Sequence, residues 1–79
     1  MLDIKAMIGI LVGAEPEPEL VIRTGDEFIN GTVINYGEDS IMVRVDYITG
    51  EHKRLIGYSM YIIPYAHITS ISKYYPLGG

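Results

Sequence analysis

Seven tyrosines are the most chemically capable side chains in this sequence. Tyr36 opens the turn signal Tyr36-Gly37-Glu38-Asp39-Ser40, and Tyr65 follows Pro64 at a second corner. An aromatic ring presented at such a turn can stack on an unpaired nucleobase, a contact worth about 1–3 kcal/mol. The competing use is equally sound: a tyrosine buries a large ring while keeping a polar tip, which suits the cap of a core or a subunit interface. Tyr47, Tyr58 and Tyr61 lie inside β-rich runs and read most simply as sheet wall or interface. His67 could hydrogen-bond a base or a phosphate, although a lone histidine is more often structural. Arg44, Lys53 and Arg54 have Asp46 and Glu51 beside them, so a solvated ion-pair face is the better reading than a cationic site.

Nothing in the chain points to catalysis. It has no nucleophile–base spacing, no glycine-rich phosphate loop and no metal motif. Glu38 and Asp39 fall in a turn, where acidic residues mostly serve as solvated charge. There are no cysteines and only two histidines, His52 and His67, which removes disulfides, thiol chemistry and a convincing zinc site. The expectation is a protein that is not an enzyme and carries no cofactor and no metal.

The bulk properties turn attention to assembly. A chain of 79 residues is a single domain. A core of that size supplies only about 3–5 kcal/mol, and small scaffolds without disulfides or metals commonly gain the rest by oligomerising. Apolar residues make up 48% of the sequence, rich for a domain with so much surface. The net charge of −4 argues against a broad phosphate-gripping face, though it leaves room for a small local site. Residues 6–12 form an apolar run followed by Gly13 and Ala14, a loose imitation of a signal peptide. The run is at the lower limit for one, and Asp3 neutralises Lys5. No stretch reaches the roughly 20 apolar residues that span a bilayer. A soluble, cytoplasmic protein with no membrane contact is expected.

The elements that must position these side chains follow from periodicity and punctuation. Residues 1–14 suggest a short helix, with Asp3 as cap and Gly13 as terminator; a strand is the alternative. Residues 15–19 (Glu-Pro-Glu-Pro-Glu) form an extended, solvated linker. Strands are expected at 20–24, 28–36, 41–48, 53–63 and 67–72, and residues 74–79 form a tail. Gly31 inside the second strand signals a bulge or a strong bend. Pro64 cannot donate to a ladder, so the chain turns at 64–66 and leaves a short last strand with an exposed edge. Five bent antiparallel strands on one small core suggest a barrel.

This layout resembles the Sm/Lsm family of small β-barrels, which includes the bacterial protein Hfq, and the divergent, acidic form is similar to phage-encoded members. Ile29, Gly31 and Val33 fit the family's first motif, with an aromatic five places after the glycine at Tyr36. Tyr65-Ala66-His67-Ile68-Thr69-Ser70-Ile71 is similar to the turn and final strand of the second motif. Gly37 stands where the family usually has Asp, Ile41 at the place of its base-contacting Asn, and Ala66 at that of its Lys.

The resemblance implies a strongly bent, five-stranded Sm-like barrel with a short N-terminal helix, covering residues 1–79 as one domain (barrel at 20–73). It implies a closed homo-oligomeric ring of about five to seven subunits, the fourth strand of one copy meeting the fifth of the next. Interface positions would be Tyr61, Ile63, Ile68, Thr69 and Ile71. It further implies weak binding of uridine- or adenine-rich single-stranded RNA, in RNA metabolism, with Asn35, Tyr36, Tyr65 and His67 as contacts. The alternative is a structural or protein-binding ring with no nucleic-acid role.

Overall fold

The computed structural model describes residues 3–75 and 77. The first two positions of the expected helix, and Pro76, Gly78 and Gly79 of the expected tail, lie outside the described residues. The chain folds as one helix followed by five antiparallel strands in one sheet. Helix α1 spans Ile4–Ala14. The Asp3 carboxylate accepts from the backbone N–H of Ala6 at 3.1 Å, satisfying one of the free donors at the helix start. Ile4 and Ile8, one turn apart, are buried, and Met7, Leu11 and Val12 pack beside them.

Gly13 does not end this helix. The helix runs to Ala14, and Glu15 leaves it in an extended conformation (φ −158°, ψ 152°). Pro16 is the physical reason, because a following proline disfavours the helical region for the residue before it. The segment after it is more than a solvated spacer. Pro18 is fully buried, its carbonyl accepts from the Val33 N–H at 3.0 Å, and Glu15 reaches Lys73 at 2.6 Å.

The strands are β1 (Glu19–Thr24), β2 (Glu27–Tyr36), β3 (Ser40–Ile48), β4 (Leu55–Pro64) and β5 (Ser70–Lys73). Their order in the sheet is β4-β3-β2-β1-β5. Alternation selects the core: Leu20, Ile22, Val33, Ile41, Val43, Ile63 and Ile71 point to one face, and α1 with Ile68 covers them. Gly25, at φ +59°, makes the tight β1–β2 turn.

Gly31 is a point of close backbone approach. A Cβ built there would sit 2.5 Å from Val43 Cγ1 and 2.6 Å from the Arg44 carbonyl oxygen, so only glycine lets β2 cross β3 here. The break in register lies further on, between Val33 and Asn35, where Ile34 is the extra residue.

Pro64 is the last residue of β4, and a short 3₁₀ turn, Tyr65–His67, follows it. The final strand begins at Ser70 rather than at 67. The residues before it are committed to the turn and to β1: Ile68 N–H bonds the Tyr65 carbonyl, and both the N–H and hydroxyl of Thr69 donate to the Arg23 carbonyl. The sheet stays open. β4 and β5 are its two edges, joined by no ladder, so the closed barrel expected from five bent strands is not formed by this chain. In an all-antiparallel sheet of five the two outer strands run parallel, so a ladder between them would be a parallel one. No helix among the described residues is long and apolar enough to cross a membrane.

Candidate nucleic-acid interface and assembly edges

The end of the sheet where β2 turns into β3 gathers most of the residues singled out for chemistry. Tyr65 holds that turn from below. Its backbone N–H donates to the Asp39 carbonyl at 2.9 Å and its phenol donates to the Gly37 carbonyl at 2.6 Å. Its ring is half-buried against the core. Burial pushes the phenol's pKa up, because the phenolate would lose solvation there, while the Lys5 ammonium works against the rise. Lys5 in turn bonds Glu38 at 2.6 Å on the solvent side, pinning the first turn of α1 to the same β2–β3 turn. That hydrogen bond raises the Lys5 pKa.

On the opposite face of the sheet lies a shallow cavity of about 250 Å³, lined by Asn35, Tyr36, Gly37, Ser40, Met42 and Ile62. Asn35 Oδ1 accepts from the Tyr36 N–H at 2.9 Å, which fixes the amide at the rim. Tyr36 is 39% exposed. The four expected contact residues are therefore divided. Asn35 and Tyr36 line one cavity, Tyr65 acts as a brace behind it, and His67 is exposed on the 3₁₀ turn with no hydrogen bond to the described residues. The cavity offers an apolar floor of Met42 and Ile62 with amide and hydroxyl groups at its rim. Tyr36, opposed to Ile41 across the ladder, carries its ring on the core side of the sheet, at the edge of the cavity and near Tyr65. Among the described residues no cationic side chain lines the cavity.

Cations elsewhere are mostly engaged. Lys5, Arg44 and Lys73 are ion-paired with Glu38, Asp46 and Glu15, and the guanidinium of Arg23 lies 5.4 Å from the Phe28 ring centre. Arg44 also lies 5.6 Å from the ring centre of Tyr58. Glu51 meets His52 at 3.8 Å rather than pairing with Lys53 or Arg54. No group of three His, Cys, Asp or Glu side chains with metal-binding geometry occurs among the described residues.

The residues expected at a subunit interface also divide. Ile63, Ile68 and Ile71 are only 6–7% exposed and belong to the chain's own core, and of the three only Ile71 also borders a groove at the surface, beside α1. Thr69 is bonded to Arg23 within the chain. Tyr61 remains partly exposed beside Tyr47, whose phenol shares a 2.9 Å hydrogen bond with Ser59. The bond to Ser59 and the nearby Tyr61 phenol lower the Tyr47 pKa, and the nearness of Tyr47 raises that of Tyr61.

The larger exposed apolar surface was not singled out from sequence. On β4 the side chains of Tyr58, Met60 and Ile62 face away from the core and are 44–66% exposed, and Ile56, the extra residue of a bulge, is 66% exposed. Ile10 of α1 is 74% exposed. The signal was present: with Ile63 as a core residue, strand alternation puts Ile62, Met60 and Tyr58 on the opposite face.

No family model, curated protein or solved structure matches this chain.

Proposed function

We propose that this chain works as a head-to-tail homo-oligomer, a ring of about five to seven subunits in which β4 of one copy meets β5 of the next. The observation that carries it is the pair of unpaired strand edges on a sheet whose β4 edge also bears an exposed apolar stripe. A long, apolar, unpaired edge is a template for another strand, and natural monomers blunt such edges with charge, proline or a covering element. Between Leu55 and Ile63 this edge carries no charged residue. An Sm-like ring, soluble and cytoplasmic, accommodates this arrangement. The Asn35–Tyr36 cavity, repeated around the ring, would give a set of weak, identical pockets for uridine- or adenine-rich single-stranded RNA, and a strand touching several of them gains through effective concentration.

A second reading, a structural or protein-binding ring without nucleic acid, is favoured by one specific observation: Lys5, Arg44 and Lys73 are already ion-paired, and no cation lines the cavity. Native mass spectrometry with and without a short oligouridine separates the two. A ring that gains the mass of bound oligonucleotide supports the RNA function. A ring that binds no homopolymer at low salt leaves the structural one.

A further inference from the structure

The hydrogen-bond pattern of the two sheet edges restricts how they can meet. Tyr65 N–H donates to the Asp39 carbonyl, and Asp39 and Tyr65 continue the β3–β4 register by one step beyond Ser40 and Pro64. Backbone groups of a strand alternate direction, so Ile63 and Tyr61 point their N–H and C=O groups at β3. Ile62, Met60 and Tyr58 point theirs outward. Pro64 falls in the outward set, where its missing N–H breaks no internal bond. On the other edge, Tyr74 N–H donates to the Glu19 carbonyl. Ser72 and Ser70 therefore face β1, and Ile71 and Lys73 offer their backbone groups outward.

The outward residues of the two edges carry side chains on opposite faces of the sheet. On β4 they belong to the solvent face, Ile62 at 66% and Met60 at 44% exposure. On β5 they belong to the core face, with Ile71 buried at 7%. In an antiparallel ladder, directly opposed residues place their side chains on the same face. A β4 strand pairing antiparallel with the β5 edge of another copy must therefore arrive inverted, its solvent-face stripe lying on the core side of β5. On that side α1 and β5 leave an apolar groove of about 270 Å³, lined by Met7, Ile10, Leu11, Ile71 and Ser72.

We infer that this groove is the seat for β4 of a second copy of the chain, with Ile62 and Met60 entering between α1 and β5. The inference rests on the ring reading above and deepens it by assigning the contact. One arrangement accounts for three otherwise separate features: the uncharged apolar stripe on β4, the groove beside β5, and the 74% exposure of Ile10 at the groove's lip. The alternative is a parallel pairing that continues the sheet with its faces aligned. That arrangement leaves Ile62 and Met60 in water and the groove empty, and parallel ladders are slightly weaker per residue.

The test uses the intact chain, which has no cysteine of its own. Ile10→Asp and Ile62→Asp each alter an exposed side chain, so the far-UV circular dichroism of the fold should persist while the assembly falls to single chains at micromolar concentration. In the complementary measurement, an untagged Ile10→Cys chain is mixed with an affinity-tagged Ile62→Cys chain and mildly oxidised. The expected product is a disulfide-linked pair of one tagged and one untagged chain. An assembly that survives both aspartate variants and yields no mixed pair overturns the groove contact while the ring stands. A wild-type chain that is already monomeric overturns the ring, and the contact with it.

Discussion

Replacing Gly31 by alanine tests the account of how the two halves of the sheet are joined. The added Cβ would lie 2.5 Å from Val43 Cγ1 and 2.6 Å from the Arg44 carbonyl oxygen. Neither neighbour yields easily. Val43 is fully buried, and the carbonyl belongs to the backbone of β3, a strand paired on both sides. Overpacking of this kind costs about 1–3 kcal/mol. Alanine also restricts the unfolded chain, which offsets about 0.4–1 kcal/mol. The net expectation is a loss of about 1–2 kcal/mol, which for a domain of this size lowers Tm by roughly 5–15 °C. Thermal melts followed by circular dichroism, with protein concentration held fixed because assembly shifts Tm by mass action, give the value directly. Gly37→Ala is the control: its Cβ meets nothing within 4 Å, and its backbone is not in the left-handed region. A Gly31→Ala protein that melts with the wild type would refute the close crossing of β2 and β3.

Further outcomes follow from single contacts. Ile8→Ala removes a fully buried side chain that joins α1 to the sheet and should cost about 2–5 kcal/mol in urea unfolding. Asp3→Ala removes the helix cap and should cost about 1 kcal/mol, seen as reduced helical signal and a lower midpoint. The raised pKa of Tyr65 means the folded state holds its phenol proton more tightly than the unfolded state. That contribution is present below the ordinary tyrosine pKa of about 10 and is lost as pH rises through the higher folded value. Alkaline absorbance titration should accordingly show a late-ionising tyrosine that disappears in Tyr65→Phe. Tyr36→Ala should weaken oligouridine binding about tenfold, within the range of one lost base stack, with a shallow salt dependence and an intact assembly, as read by fluorescence anisotropy.

The parts of the fold legible in the sequence were those set by strong local rules. Alternation at Ile41, Val43 and Val45 marked the third strand, and Tyr36-Gly37 and Thr49-Gly50 marked its ends. Asp3 as a helix cap and Pro64 as the end of the fourth strand were likewise readable. What could not be read depended on non-local partners. The burial of Pro18 requires knowing that its carbonyl meets Val33 across the sheet. The late start of β5 depends on Thr69 being captured by Arg23. Gly31 announced a special position, but only the nearness of Val43 and Arg44 shows that it is a crossing rather than the bulge itself. At the candidate site, Asn35 and Tyr36 are neighbours in the sequence itself, so only the placing of Tyr65 and His67 depended on the fold. Tyr65 was placed behind them, because its phenol found the Gly37 carbonyl and its ring found the core.

Strand pairing between copies is the central claim, and sedimentation velocity of the wild-type chain at micromolar concentration tests it most directly. A single species at about five to seven times the chain mass, unchanged on moderate dilution, is expected of a closed head-to-tail ring. A stable single-chain species across that concentration range would contradict it.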